Sequence, residues 1–223
     1  MTVGVVGVVV PAAGEGVRMG PGGPKALRDL AGEPLLVHAI RRLRQCPSVG
    51  PVVVAAPPRE VDHVRTLLAP YDVTVVPGGA HRQQSVAVGL AALPAEVDLV
   101  LVHDAARALV PIEVVEAVVA ALLSGAHAVV PVLPIADTVK RVAPDARVVA
   151  TVPREDLRTA QTPQGFTRAA LERAHAASTG CLTDDAGLCE ALGIPVQTVP
   201  GSAEGLKVTR PFDLLVAEAV LRA

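Results

Sequence analysis

The 223-residue sequence predicts a single α/β domain in which a mainly parallel sheet is flanked by helices. Three observations carry that reading. Apolar runs of strand length alternate with amphipathic segments of helix length, the rhythm of strand, crossover and parallel strand. Half the chain is apolar (51%), mostly Val, Ala and Leu, with no Trp, one Tyr (Tyr71) and two Phe (Phe166, Phe212). Small branched side chains of this kind suit strands buried on both faces. A loop rich in glycine and proline directly follows the first strand, where open α/β sheets bind ligands. No internal repeat is visible, and no linker is long enough to divide residues 1–223 into two domains.

The first strand is expected over Gly4 to Val10, followed by the loop Pro11 to Pro24. A helix is expected from Pro34 to Gln45, where Leu35, Leu36, Ala39, Ile40 and Leu43 form one apolar face and Pro34 suits the first turn. Strands at Val52–Ala56 and Val73–Val76 bracket a helix near Arg59–Leu68. Gly78-Gly79 breaks the chain before a helix at Gln83–Ala92 and a strand at Leu99–His103. Pro111 opens a helix ending near Ser124-Gly125, and Val129–Leu133 reads as a further buried strand. The rhythm then stops. DTVKRV and RVVATV are short alternating runs around Ala143-Pro-Asp-Ala, which predicts a β-hairpin inserted over residues 136–153. Pattern alone allows two placements, an arm projecting toward a partner subunit or an edge hairpin on its own domain. Helices are expected again at Arg168–Ala177, after a cap at Thr183 with Asp184 and Asp185 in the first turn, and at Pro211–Leu221.

Composition sets limits on partners. The formal net charge is −2, with no dense Lys/Arg stripe, so a nucleic-acid surface is not expected. The apolar N-terminus MTVGVVGVVVPAAG has no basic flank and is shorter than the ~18 residues of a membrane span, so it reads as a buried strand in a cytoplasmic protein. Cys46, Cys181 and Cys189 have no zinc or C-x-x-C spacing and read as small buried hydrophobes in a reducing compartment.

The chemistry is concentrated at strand ends. In Pro11-Ala-Ala-Gly-Glu-Gly-Val-Arg-Met-Gly, Gly14 and Gly16 allow backbone amides to approach a phosphate, and Arg18 and Lys25 add positive charge to the same loop. It is not a dinucleotide fingerprint, because Met19 stands at the third glycine position. Nor is it a Walker A loop, because Lys25 lies between Pro24 and Ala26. The sequence HDAAR follows the Leu99–His103 strand and places Asp104 and Arg107 in the same crevice. Asp104 suits a substrate hydroxyl or the neighbourhood of a metal, whereas His103 reads as a packed strand-end residue.

PAAGEGVRM, Pro24-Lys25, GGAHRQQSV, HDAAR, DTVKR, TPQGF, TDDA and LKVTRP together resemble the 2-C-methyl-D-erythritol 4-phosphate cytidylyltransferases, in order, over nearly the whole chain. The resemblance implies a Rossmann-like sheet with a projecting β-arm, a homodimer, a divalent cation (usually Mg2+), and a step in non-mevalonate isoprenoid biosynthesis. It implies that CTP and methylerythritol phosphate give a CDP-linked alcohol and pyrophosphate. It assigns transition-state stabilisation to Arg18 and Lys25. It assigns nucleotide contacts to Gly79 and Ser85, beside the backbone of Pro11, Ala12, Ala13, Gly14 and Gly16. It also assigns the acceptor phosphate to Thr138, Arg154, Thr162, Thr183 and Lys207. Ala80 departs from family members that carry an acid there, which removes any side-chain contact from that position. Two rival readings remain: a ribitol-phosphate or other polyol-phosphate cytidylyltransferase, and a non-catalytic nucleotide-binding regulator.

Overall fold

The computed structural model describes residues 4–178 and 183–222. Its elements in order are β1 (Val5–Pro11), β2 (Asp29–Leu30), β3 (Glu33–Pro34), α1 (Leu35–Arg44), β4 (Val52–Ala56), α2 (Val61–Leu68), β5 (Thr74–Pro77), α3 (Arg82–Ala92), β6 (Val97–Val102), α4 (Ile112–Leu123), β7 (Ala128–Pro134), β8 (Val139–Val142), β9 (Val148–Val152), β10 (Arg158–Ala160), β11 (Gln164–Thr167), α5 (Arg168–Ala177), α6 (Asp185–Ala191), β12 (Val196–Pro200) and α7 (Pro211–Arg222). Single 3-10 turns punctuate the loops at Val17–Met19 and Lys25–Leu27.

The main sheet runs β12, β7, then β11 with β10 in line, β6, β1, β4 and β5. β11 and β12 both pair with Ala128 and Val129, so they flank β7 on opposite sides. Strands β4, β5, β6 and β12 pair in parallel, whereas β10 and β11 run antiparallel to their neighbours. The predicted mainly parallel α/β architecture is therefore present, in mixed form.

Alternation along β1 divides the core. Val8 and Val10 face Leu36, Ile40 and Leu43 of α1 and Val115 and Val118 of α4. Val9 faces the opposite layer, with Val86 and Leu90 of α3, Leu171 of α5 and Phe166. The five residues expected to form the apolar face of α1 are all buried. Helix α7 closes a smaller cluster with Met19, Leu30 and Leu35 beside the glycine loop.

Several expectations are corrected. Thr183 does not cap α6. Asp184 does, its carboxylate accepting the Gly187 N–H at 3.1 Å. Asp185 occupies the first turn as expected and is buried. Pro34 and Pro111 sit one residue before their helices in extended conformation. The imidazole of His81 caps α3, so this helix starts at Arg82. Strands β2, β3, β10, β11 and β12 were not expected. All three residues of β10 are exposed, and three of the five in β12, so neither shows an apolar alternation.

The inserted hairpin forms as a separate two-stranded sheet, with β8 pairing only with β9. Ala146 closes its turn at φ 64°, and Val142, Val148 and Val149 are exposed. Cys46 and Cys189 are buried free thiols, pushed up by burial to about 12 and about 11 respectively. Cys181 lies outside the described residues.

Candidate active site

The carboxyl ends of β1, β5 and β6 open onto one cavity lined by the Pro11–Gly14 backbone, Lys25, Gly79 to Arg82, Ser85, Asp104 and Lys207. The glycine loop is closed by the Lys25 N–H donating to the Gly14 carbonyl at 3.1 Å. Gly16 adopts φ 69°, and a Cβ there would lie 2.5 Å from Lys25 Cβ, so only glycine lets the loop fold under the lysine. On the facing loop, Ser85 Oγ accepts the Gly79 N–H at 3.0 Å and donates to the His81 carbonyl at 3.2 Å. One hydroxyl lone pair remains without a partner among these bonds. The Ala80 N–H, with no acidic side chain of its own nearby, is capped by Gln84 Oε1 at 2.9 Å.

A second cavity adjoins the first. It is lined by Arg107, Gln161, Thr162, Gln164, Thr183 and Asp184, and it shares Arg82, Asp104 and Lys207 with the first. The wall between the two cavities is thus a carboxylate held by two cations. Lys207 Nζ donates to Asp104 Oδ2 at 2.6 Å, and Arg82 Nε donates to Oδ1 at 3.1 Å. Burial alone would raise the Asp104 pKa, but the Arg82 and Lys207 charges and hydrogen bonds hold it well below the usual carboxylate range. Lys25 shifts the other way. Burial and the neighbouring Lys207 charge bring it down to about 8.

Behind this wall a neutral relay fixes the chain. The Asp104 N–H donates to Thr162 Oγ1 at 3.0 Å, Thr162 lies 3.2 Å from His103 Nδ1, and His103 Nε2 lies 3.3 Å from the Arg107 carbonyl. With Nε2–H donating to that carbonyl, Nδ1 accepts from the threonine hydroxyl. Burial lowers the His103 pKa to about 4, so the imidazole is neutral at physiological pH. This agrees with a packed strand-end residue. Arg107 lines the second cavity, yet Nη1 and Nη2 donate to the carbonyls of Gly205 at 2.8 Å and Ala160 at 3.0 Å. Its guanidinium therefore also ties β10 to the loop before Lys207.

The structure does not bring all the expected residues together. Arg18 is exposed on the glycine loop and lines neither cavity, although it is close enough for its charge to lower the Lys25 pKa. Thr138 and Arg154 are also exposed and line neither cavity. Arg154 donates to the Ala136 carbonyl at the base of the hairpin. Sequence reasoning missed Arg82, which touches both cavities, although it stands inside the quoted GGAHRQQSV segment. It also missed Gln161 and Gln164, which pin the loops around Ser202 and Ala186. Gln164 belongs to the quoted TPQGF, with Gln161 directly before it.

The described residues contain no cluster of three or more metal-ligating side chains. Asp104 is the one carboxylate lining the first cavity, and both of its oxygens already accept from cations.

Such a sheet, with a glycine loop and paired cations at its strand ends, fits an α/β nucleotidyltransferase. The profile of the 2-C-methyl-D-erythritol 4-phosphate cytidylyltransferases matches residues 6–223, and the chain belongs to that family. The enzyme of that name from Streptomyces coelicolor is 55% identical over 225 residues, covering 96% of this chain and 83% of that protein. Its counterpart from Frankia casuarinae is 56% identical over 216 residues, with 97% and 81% covered. Among solved structures, the Thermus thermophilus cytidylyltransferase superposes with TM-score 0.79 at 38% identity, covering 96% of this chain and 98% of that one. The 4-diphosphocytidyl-2C-methyl-D-erythritol synthase of Anaerococcus prevotii gives TM-score 0.86 at 26% identity, covering 99% and 100%.

Proposed function

We propose that this chain joins CTP to 2-C-methyl-D-erythritol 4-phosphate, releasing pyrophosphate, as a cytoplasmic enzyme of non-mevalonate isoprenoid biosynthesis. The observation that carries this reading is the pair of adjoining cavities that share Lys207, Asp104 and Arg82. One cavity, floored by backbone and glycine, suits the nucleotide. The other, walled by Thr162, Gln164, Thr183 and Asp184, suits a small hydroxylated phosphate. In these terms an oxygen of the acceptor phosphate attacks the α-phosphorus of CTP. The bond to the bridging oxygen breaks, and the electron pair leaves with pyrophosphate.

An ionised phosphate needs no general base, so positioning and charge neutralisation remain the tasks. Lys25 faces the nucleotide cavity and Arg18 sits on the same loop, placed to absorb charge building on the phosphates. Lys207 and Arg82 stand where the two anions must meet. Mg2+ would be carried by the nucleotide phosphates with few protein ligands of its own, because Asp104, the one carboxylate of the nucleotide cavity, already has both oxygens on Lys207 and Arg82. When bound, it supplies further charge neutralisation.

The functional unit in this reading is a homodimer. Arg154 and Thr138 lie outside both cavities of their own chain, on a hairpin that pairs only with itself. In this reading they serve the acceptor site of a second copy. The deciding assay is pyrophosphate release with CTP and each acceptor in turn. Turnover with methylerythritol phosphate far above that with ribitol phosphate is expected. The reverse order would overturn the acceptor assignment, and no release with any acceptor would favour the non-catalytic regulator.

A further inference from the structure

Asp185 is the deepest acid of the site region, at 1% exposure, yet it lines neither cavity. It opens α6, directly after Thr183 and Asp184 of the second cavity's wall. Oδ2 accepts from Arg82 Nη1 at 2.6 Å, and Oδ1 lies 2.9 Å from His175 Nε2 on α5. A line of groups therefore runs from α5 through His175, Asp185 and Arg82 to Asp104 and Lys207. A well-packed apolar side chain would serve stability as well as such a buried pair does. Geometry gives the pair a more specific task.

Arg82 holds Asp104 through Nε alone, while Nη1 is held by Asp185 and Nη2 makes no hydrogen bond within the described residues. Nη2 is the donor that forks with Nε, so it is the orientation fixed by the Nη1 bond to Asp185 that leaves Nε alone on Asp104. A guanidinium released from Asp185 would be free to turn and close on Asp104 through two parallel hydrogen bonds, its preferred carboxylate geometry. That second bond would reach for Oδ2, the atom now held by Lys207. We infer that Asp185, braced by His175, is a positioning residue. By holding Arg82 to a single bond with Asp104, it keeps Lys207 on the same carboxylate and both cations at the wall where the substrates meet.

This inference rests on the cytidylyltransferase reading for its turnover assay, but it can also be tested without turnover. The experiment is a double-mutant cycle of Asp185→Asn and Arg82→Met, with kcat/KM measured for CTP and methylerythritol phosphate. Asp185→Asn should lower kcat/KM about tenfold or more in the wild-type background and less than about twofold beside Arg82→Met. An acid acting through Arg82 has nothing left to position once Arg82 is gone, whereas a general structural role would produce the same loss in both backgrounds. Asp185→Glu should recover part of the Asn loss by restoring the charge.

Titrating the same proteins with CTP alone by calorimetry repeats the cycle on binding, because Arg82 also lines the nucleotide cavity. A severalfold loss of affinity is expected only where Arg82 is present. An inactive wild-type enzyme would thus overturn the substrate reading and leave the binding cycle to decide this one. Should Asp185→Asn not fold, His175→Gln run through the same cycle should give a smaller loss with the same dependence on Arg82. Equal losses in both backgrounds, or an Asp185→Asn protein with wild-type kcat/KM, would overturn the inference.

Discussion

Lys25 offers a direct test of the electrostatics of the nucleotide cavity. With burial and Lys207 holding its pKa at about 8, the free protein carries this charge only partly at mildly alkaline pH. Bound triphosphate adds a strong anionic partner to the weaker pull of Asp104 and should return the ammonium toward the ordinary lysine value. Linkage then requires proton uptake on binding. The protonated fraction of free Lys25 is about 0.9 at pH 7, about 0.5 at pH 8 and about 0.1 at pH 9. Uptake should therefore rise from about 0.1 proton at pH 7 to about 0.5 at pH 8 and about 0.9 at pH 9.

The same linkage weakens CTP binding about tenfold between pH 7 and pH 9, once the ionisation of the nucleotide itself is complete. Calorimetric titration in two buffers of different ionisation enthalpy reads the uptake directly. Lys25→Met should abolish both the uptake and the alkaline loss of affinity. A buffer-independent enthalpy at pH 8 to 9, or the same uptake in Lys25→Met, would refute this account of the cavity. The sign for folding is opposite to that for binding. The unfolded chain holds more protons than the free native state between pH 8 and about 10.4, so this group makes the unliganded protein more stable as pH rises through that window.

Lys25→Ala should lower turnover at saturating substrate roughly a hundredfold or more and, by the same linkage, weaken CTP binding at pH 7 by about a hundredfold, as measured by steady-state rates beside direct titration. Arg82→Met leaves Asp104 and Asp185 without their shared cation and should cost about 3 kcal/mol, or roughly 6–12 °C in melting temperature for a chain of this size. Asp104 has a depressed folded-state pKa, so its contribution is present above about pH 4 and lost as pH falls. The gap between wild type and Arg82→Met should narrow in melts taken from pH 7 to pH 3. Equal mixtures of Lys25→Ala and Arg154→Ala chains, unfolded and refolded together, should recover about a quarter of wild-type sites if Arg154 serves a second copy. No recovery in verified mixed dimers would return Arg154 to its own subunit.

The parallel core was legible because each strand announces itself twice, by an apolar run and by the turn that ends it. Val52–Ala56 is the clearest case, with all five residues buried. β10 and β12 lack that signature. Arg158-Thr-Ala lies exposed, and its pairing with β7 is a tertiary event that local pattern does not encode. The glycine loop, Asp104 and Lys207 could be placed from strand ends and motif order. Arg82 could not, because its partners are distant in sequence: Asp185 is 103 residues away and meets it only once α3 and α6 both pack against α5. Thr183 was misplaced as a cap because Thr and Asp are both good N-cap residues, and only the backbone shows that the helix begins one position later.

The approach of Gly78 to Ala13 has a consequence for redesign. A Cβ at Gly78 would lie 2.6 Å from the Ala13 Cβ and 3.1 Å from the Ala56 carbonyl, so the loops after β1 and β5 meet with no room for another methyl group. Neither loop has a shape independent of the other. Transplanting the β1 loop from an enzyme that takes a different base would import a surface matched to some other partner. The β5 loop that remains would hold it apart or be pushed aside. A change of nucleotide specificity therefore calls for both loops to be exchanged as a pair, and selection acting on one residue at a time would find few passable intermediates between two such pairs.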